Sequence, residues 1–245
     1  MQPRAVVRLV GGASALLATL AIGACPALAH SGRHAPKRGF GRGTSTNWSG
    51  YAVDGSSATS AIGTWTQPSV TCGIGENSWS SPWVGIDGDN SNTVEQTGTD
   101  SDCQNGQPLY YAWYEMYPKR LVTIPMTAMT VTPGHVYTGS VTYSSGSFLL
   151  KLTDDNTGAT YQTLQSSKKA LRSSVEWIME GPSNGLLSAF GTVSFGSASG
   201  TIGGVGVTPS SSNAQAITMV TSGGTPRAVP SSPSGGSFSV AWKHS

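Results

Sequence analysis

From residue 48 onward, apolar and polar residues alternate in short runs, and clusters of Gly, Pro, Ser and Asn separate the runs. A side-chain period of two marks a half-buried β-strand. The pattern predicts strands over Ser49–Val53, Ser60–Thr66, Trp83–Ile86, Val94–Asp100, Leu109–Tyr117, Thr127–Val131, Val136–Tyr143, Ser147–Asp154, Ala159–Leu164, Ser174–Glu180, Gly191–Ser197, Ala216–Val220 and Ser237–Trp242. Asp155-Asn156-Thr157-Gly158 reads as a hairpin turn between two of them. No helical period, internal repeat or long linker follows residue 44. Strands without helices predict an all-β fold, a two-sheet antiparallel β-sandwich of the concanavalin/lectin-like kind.

Four of these strands carry unexpected polar faces. Trp83, Gly85 and Asp87 share one face, while Val84 and Ile86 point to the other. Val94, Gln96, Gly98 and Asp100 share a face, as do Tyr111, Trp113, Glu115 and Tyr117. Glu176, Ile178 and Glu180 do the same in the strand at 174–180. Any one carboxylate is explained by a sheet face turned to water. Side by side, however, the four strands form a floor of Trp83, Asp87, Gln96, Asp100, Trp113, Glu115, Glu176 and Glu180. Indoles among carboxylates suit a binding cleft better than a bare solvated face.

Charge changes the picture at the N-terminus. The chain has 245 residues, of which 11% are charged, 37% are hydrophobic and 32 are glycine. Residues 1–43 hold six Lys/Arg and no acid; the rest holds eight Lys/Arg against twelve Asp/Glu, a net of −4. A negative body argues against a nucleic-acid partner. Arg4 and Arg8, the apolar run Leu9–Gly23 and Ala27-Leu28-Ala29 read as a signal peptide over residues 1–29, so secretion is expected, with no membrane partner once it is removed. Residues 30–46 read as a basic, unpacked arm or short pro-segment, and 47–245 as the β-sandwich domain. The arm's positive charge is complementary to an acidic cleft. Asn47-Trp48-Ser49 fits a glycosylation sequon, a triplet that chance also supplies.

Candidate chemistry narrows by elimination. Cys25 leaves with the signal, so Cys72 and Cys103 remain as an expected disulfide in an exported chain. Of four histidines, His30 and His34 lie in the arm and His244 is next to the C-terminus, leaving His135, in a turn, so a Ser-His-Asp or Cys-His site has one poor candidate base and a His-rich zinc site has no ligand set. No Gly-rich phosphate loop opens a helix. No cofactor is expected. Carboxylate chemistry, aided by an amide, remains. On residue faces alone three readings stand level: a peptidase, a glycoside hydrolase using Glu115 and Glu180, and a non-catalytic carbohydrate- or peptide-binding module with Trp83 and Trp113 as stacking platforms.

A resemblance separates them. Trp83-Val84-Gly85-Ile86-Asp87-Gly88, Gln96-Thr97-Gly98 with Asp100, Ala112-Trp113-Tyr114-Glu115 and Glu176-Trp177-Ile178-Met179-Glu180 together resemble the glutamic peptidases, or eqolisins (family G1), in the same order along the chain. The resemblance runs from Asn47-Trp48 to Ala214-Gln215 and the last strand. It implies a sandwich of two large sheets and endopeptidase activity on polypeptides at acid pH. It also implies a catalytic dyad at Gln96 and Glu180, with Trp83, Asp87, Asp100, Trp113 and Glu115 as binding or orienting groups. A monomer is expected. Met116 departs from the family, which often has Trp there, and this leaves substrate preference open.

Overall fold

The computed structural model describes residues 34–38 and 43–245, so the expected signal peptide lies outside the described residues. In chain order the strands are β1 (Thr44–Ser45), β2 (Trp48–Asp54), β3 (Ala58–Thr66), β4 (Ser78–Trp79), β5 (Ser81–Ile86), β6 (Val94–Gln104), β7 (Gln107–Tyr117), β8 (Val122–Thr123) and β9 (Val136–Ser144). There follow β10 (Ser147–Asp154), β11 (Thr160–Gln165), β12 (Ser174–Glu180), β13 (Leu186–Leu187), β14 (Thr192–Ile202), β15 (Val205–Val207), β16 (Ala214–Val220), β17 (Pro226–Pro230) and β18 (Phe238–Trp242). All predicted strands but one form, with ends moved by a few residues. The exception is Thr127–Val131. Pro125 starts a turn there, its carbonyl accepting from the N–H of Ala128 and Met129. Met129 and Val131 are buried without pairing, so their alternation reported burial rather than a ladder. Strands of two or three residues, such as β4 and β13, are too short to show a period, and β17 is bounded by Pro226 and Pro230, which weaken any strand signal.

The ladders build two facing sheets. One runs β16–β2–β12–β5–β6–β7–β8, the other β11–β10–β9–β3–β14–β18–β17–β16. Strand β16 belongs to both, pairing β2 through Ala214–Ile217 and β17 through Met219 and Val220. The sandwich is antiparallel apart from the short pairings β1–β16 and β4–β13. Between the sheets lies the main core. Val84, Ile86, Val175, Trp177, Met179 and Ala112 meet Trp65, Tyr137, Val141, Phe148, Leu150 and Phe195 there. The two buried indoles end on polar partners, Trp177 Nε1 donating to the Ile62 carbonyl (2.7 Å) and Trp65 Nε1 to Thr99 Oγ1 (2.8 Å). Cys72 and Cys103 are bonded, closing a loop 31 residues apart in sequence, which stabilises the fold by about 3–4 kcal/mol. His135 pairs with Asp154 (3.0 Å) at a hairpin remote from the predicted floor.

Register turns the second face of the first sheet into a grid. Across β2, β12, β5, β6 and β7 one row reads Ala52–Glu176–Gly85–Gln96–Glu115. The next reads Gly50–Ile178–Trp83–Gly98–Trp113. In the third, Trp48 pairs Glu180, which pairs Ser81, while Asp100 pairs Tyr111. The face holds its own apolar cluster, including Trp48, Trp83, Tyr111, Trp113 and Ile178. Gly98 makes this possible: a Cβ there would sit 2.6 Å from Trp83 Cβ and 2.9 Å from Trp113 Cζ2. Likewise a Cβ on Gly85 would press on Trp83 and Gln96 at 3.0–3.1 Å.

Candidate active site

The floor predicted from the strand faces assembles on this grid, but its groups separate into three sets. The first centres on Glu180, 1% exposed at the end of β12. Trp83 Nε1 donates to its Oε2 (2.9 Å), and the Asn47 side-chain amide donates to its Oε1 (3.2 Å). Trp83 is the neighbour of Ile178 in register, so its indole lies alongside the Glu180 end of the strand. The second set joins Asp100 to Trp113, whose Nε1 donates to Asp100 Oδ1 (2.6 Å) and to Ser81 Oγ (3.1 Å). Tyr111 Oη lies 2.7 Å from Asp100 Oδ2 and 3.1 Å from Asp102 Oδ2. Burial and the neighbouring Asp100 charge push the Asp102 carboxyl well above the ordinary range.

The third set is Gln96 and Glu115, direct partners across β6 and β7. Gln96 Nε2 donates to Glu115 Oε2 (2.8 Å), and Gln96 Oε1 is buried without a partner. Burial raises Glu115 to about 8; His34 and the Gln96 amide oppose that shift, while Glu180 and Asp100 add to it. Glu115 thus feels the charges of the Glu180 set. Asp87 stands apart from all three. In a left-handed backbone conformation (φ 72°), it spends its carboxylate on the 172–173 loop, accepting from Arg172 N (2.8 Å), Ser173 N (2.7 Å) and Ser173 Oγ (2.8 Å). Its place is to hold that loop against the end of β5.

A peptide lies over the Glu180 set, and it is the chain's own arm. The cleft supplies the partners of His34, Ala35 and Lys37, while the Arg38 carbonyl turns back to accept from Thr46 N (2.6 Å) and Ser45 Oγ (2.7 Å). His34, 5% exposed, stacks on Trp113 with ring centroids 4.1 Å apart. Its Nδ1 is 3.2 Å from Glu180 Oε2 and its Nε2 is 3.4 Å from Asp100 Oδ1. Burial disfavours charge on this ring, but the Asp100 and Glu180 carboxylates together outweigh it and hold the His34 pKa well above the ordinary value. Ala35 N donates to Glu180 Oε1 (3.0 Å), and the Ala35 carbonyl accepts from Trp48 Nε1 (2.9 Å) and Asn47 Nδ2 (3.2 Å). Lys37 N donates to the Gly88 carbonyl (2.9 Å), and the Lys37 ammonium pairs with Asp89. A crevice of about 10 Å³ lies beside His34. Larger hollows of about 330 and 440 Å³ lie at the rim, around Tyr117, Pro118 and Lys169.

Sequence reasoning missed His34, Asn47, Trp48 and Tyr111 as members of the site. Trp48 had a legible signal, since Trp48, Gly50 and Ala52 continue the period of the strand beyond Ser49. The sequon at Asn47 does not describe its use: its side chain is 1% exposed and its amide nitrogen is committed inside the cleft.

Comparison with known proteins decides among the readings. The model of the Peptidase A4 family matches residues 46–242, which span β2 to β18. The chain belongs to this family, the glutamic peptidases. Glutamic peptidases are hydrolases of peptide bonds, and this one is an endopeptidase of family G1. Among its relatives, aspergillopepsin-2 from Aspergillus niger is 32% identical, over 68% of this chain and 68% of that protein. Scytalido-glutamic peptidase with a transition state analog inhibitor superposes with a TM-score of 0.70 at 26% identity, covering 81% of this chain and 98% of that one. A complex of the eqolisin SCP-B with the tripeptide Ala-Ile-His superposes with a TM-score of 0.66 at 25% identity, with the same coverage. The sandwich expected from the strand pattern is therefore that of this glutamic peptidase family, and the resemblance carried by its motifs holds.

Proposed function

We propose that this glutamic peptidase is a secreted, monomeric acid endopeptidase in which Glu180 and Gln96 form the catalytic dyad. The observation that carries the reading is the 3.0 Å contact between Glu180 Oε1 and the N–H of the His34–Ala35 peptide bond. A carboxylate that already meets a peptide nitrogen is placed to take a proton from an attacking water and deliver it to the leaving amine. A histidine base would be mostly protonated in acid, whereas a carboxylate still titrates there. Gln96 supplies a neutral N–H for the oxyanion of the tetrahedral intermediate, a role worth about 3–4 kcal/mol in comparable sites. Glu115 orients it. In acid Glu115 is protonated, and its O–H can serve the orphaned Gln96 Oε1 after a half-turn of the amide, which frees Nε2 to face the cleft. Trp83 holds Glu180, and Trp113 with Asp100 shapes the adjoining floor.

Secretion is supported by the signal-like N-terminal segment and by the Cys72–Cys103 disulfide. Residues 30–46 act as a short pro-segment, with His34–Lys37 as its anchor in the cleft. A peptide substrate must displace that anchor to reach Glu180. The decisive assay incubates the full chain with a denatured protein across pH 2–8, beside a polysaccharide panel. Cleavage of protein in acid, abolished by Glu180→Gln and by Gln96→Ala, is expected. Near-wild-type cleavage by Gln96→Ala would remove Gln96 from the dyad. Hydrolysis of a polysaccharide that needs Glu115 and Glu180 but tolerates Gln96→Ala would replace the peptidase reading of the site.

A further inference from the structure

The arm serves as a bound peptide that identifies what in this cleft reads a main chain, and the residue at the junction is Asn47. We infer that Asn47 couples the Glu180 carboxylate to the backbone of the peptide lying in the cleft, as a positioning residue for the reaction. This inference rests on the proposed role of Glu180.

The geometry is specific to both ends of the Asn47 side chain. Its Nδ2 donates to Glu180 Oε1 (3.2 Å), to the Ala35 carbonyl (3.2 Å) and to the Pro36 carbonyl (3.3 Å). Its Oδ1 accepts from the Arg38 N–H (2.8 Å) and from Ser45 Oγ (2.9 Å). The partners contributed by residues 35–38 are all main-chain atoms, so those contacts do not depend on the sequence of the bound peptide. Ala35 N meets the same Glu180 oxygen that Asn47 holds, which places one amide, one carboxylate and one peptide unit in mutual contact. Trp48 Nε1 adds a second donor to the Ala35 carbonyl.

Local structure explains why this asparagine stays in place. Ser45 Oγ accepts from the N–H of Asn47 (3.2 Å) and of Trp48 (3.1 Å), tying the turn before β2. That turn directs the Asn47 side chain toward Glu180, the register partner of Trp48. A peptide bound in the right register thus helps fix the rotamer of the carboxylate that must exchange protons with it. Loss of the Nδ2 donor loosens both at once. It weakens peptide binding, and it lets the carboxylate turn away from the reacting nitrogen, where misplacement by about 1 Å can lower a rate a hundredfold.

Asn47→Asp tests this directly, because it keeps the acceptor for Arg38 and Ser45 and removes only the donor. It also sets a second carboxyl beside Glu180, and two carboxyls in hydrogen-bond contact cannot both ionise easily. The expected result is a fall in kcat/KM of about tenfold to a hundredfold, with a raised KM and an acid limb of the pH–rate profile moved to higher pH. Asn47→Ala introduces no charge and should raise KM and lower kcat while moving that limb upward by less than Asn47→Asp does. Ser45→Ala, which loosens the turn but keeps the Nδ2 donor, should lower the melting temperature and affect KM and kcat less than either Asn47 variant. Wild-type KM and pH profile in both Asn47 variants would overturn the inference. So would a Ser45→Ala profile that matches Asn47→Asp, since the turn alone would then explain the effect. If Glu180→Gln itself retains activity, the dyad fails rather than the role of Asn47.

Discussion

Strand β12 carries two buried glutamates on the same face, four residues apart, and they live in opposite chemical surroundings. Glu180 is met by Trp83 Nε1, Asn47 Nδ2 and Ala35 N, with His34 Nδ1 3.2 Å away. Glu176 is fully buried, and neither of its oxygens has a hydrogen-bond partner. Burial pushes its pKa well above the ordinary value, with Asp87, Asp89 and Asp54 adding to the push. Glu95, on β6 beside this end, is likewise raised to about 9 by burial and by Asp87. One end of the cleft gathers donors around Glu180; at the other, burial and like charges outweigh the nearby Ser174 hydroxyl and hold Glu176 neutral. Burial alone does not make a reactive carboxylate; the donors around it decide what it can do.

The largest effect should come from equalising the two glutamates by mutation. Glu180→Gln is expected to lower kcat on a protein substrate at pH 3–4 by at least about a thousandfold, the scale at which a catalytic group that acts as part of a unit is lost. Glu176→Gln should stay within a few-fold of wild type, because a neutral carboxyl and an amide are near isosteres. Similar losses in the two variants, each with unchanged thermal unfolding, would erase the distinction drawn here.

The next effect is on stability. Glu95, Glu115 and Glu176 have folded-state pKa values raised above the unfolded value of 4.5, so the folded chain binds their protons more tightly. Their contribution is fully present below pH 4.5. It is lost as pH rises toward about 8 for Glu115 and about 9 for Glu95. The melting temperature is expected to be highest in acid and to fall steadily toward pH 9. Glu176→Gln should flatten part of that fall, raising the melting temperature at pH 8 relative to wild type with little change at pH 4. A wild-type protein equally stable at pH 4 and pH 9 would contradict the assignment of neutral carboxyls at this end.

The smallest expected effect concerns the arm, which favours the Glu180 end. The ring of His34 faces Asp100 and Glu180 directly, with Asp102 and Glu115 within reach of its charge. Near neutral pH the ring, held protonated, attracts the carboxylates it faces, and ion pairs with carboxylates weaken in acid. Removing residues 30–42, or replacing His34 by Ala, should strengthen binding of a non-cleavable peptide at pH 6–7 by several-fold at low salt, and much less at pH 3. Calorimetric titration at both pH values measures this. Equal affinities for full-length and arm-deleted protein at pH 6–7 would mean that the arm does not compete for the cleft.

Much of this organisation was legible in the chain. Period-two alternation placed Val84 and Ile86 in the inter-sheet core and Gln96 and Glu115 on the opposite face, and the structure keeps both assignments. Strand periodicity is a local property of successive residues, so it survives reading one segment at a time. The same reading could not distinguish Asp87 from Glu180. Both occupy cleft-facing strand positions, but the carboxylate of Asp87 is taken up by a loop 85 and 86 residues further along the chain. Nor could it distinguish Glu176 from Glu180, whose donors Ala35, Asn47 and Trp83 lie 145, 133 and 97 residues away in sequence.

The sequence by itself determined most of the longer strands and their two faces, the cysteine pair and the family. Each of these is written in short-range pattern or in residue identity. Tertiary structure alone decided which carboxylates receive donors, that His34–Lys37 are the arm residues seated in the cleft, and that an asparagine in a sequon meets Glu180. Those outcomes depend on register between strands far apart in the chain. A shift of one residue in that register would turn each side chain to the other face of the sheet.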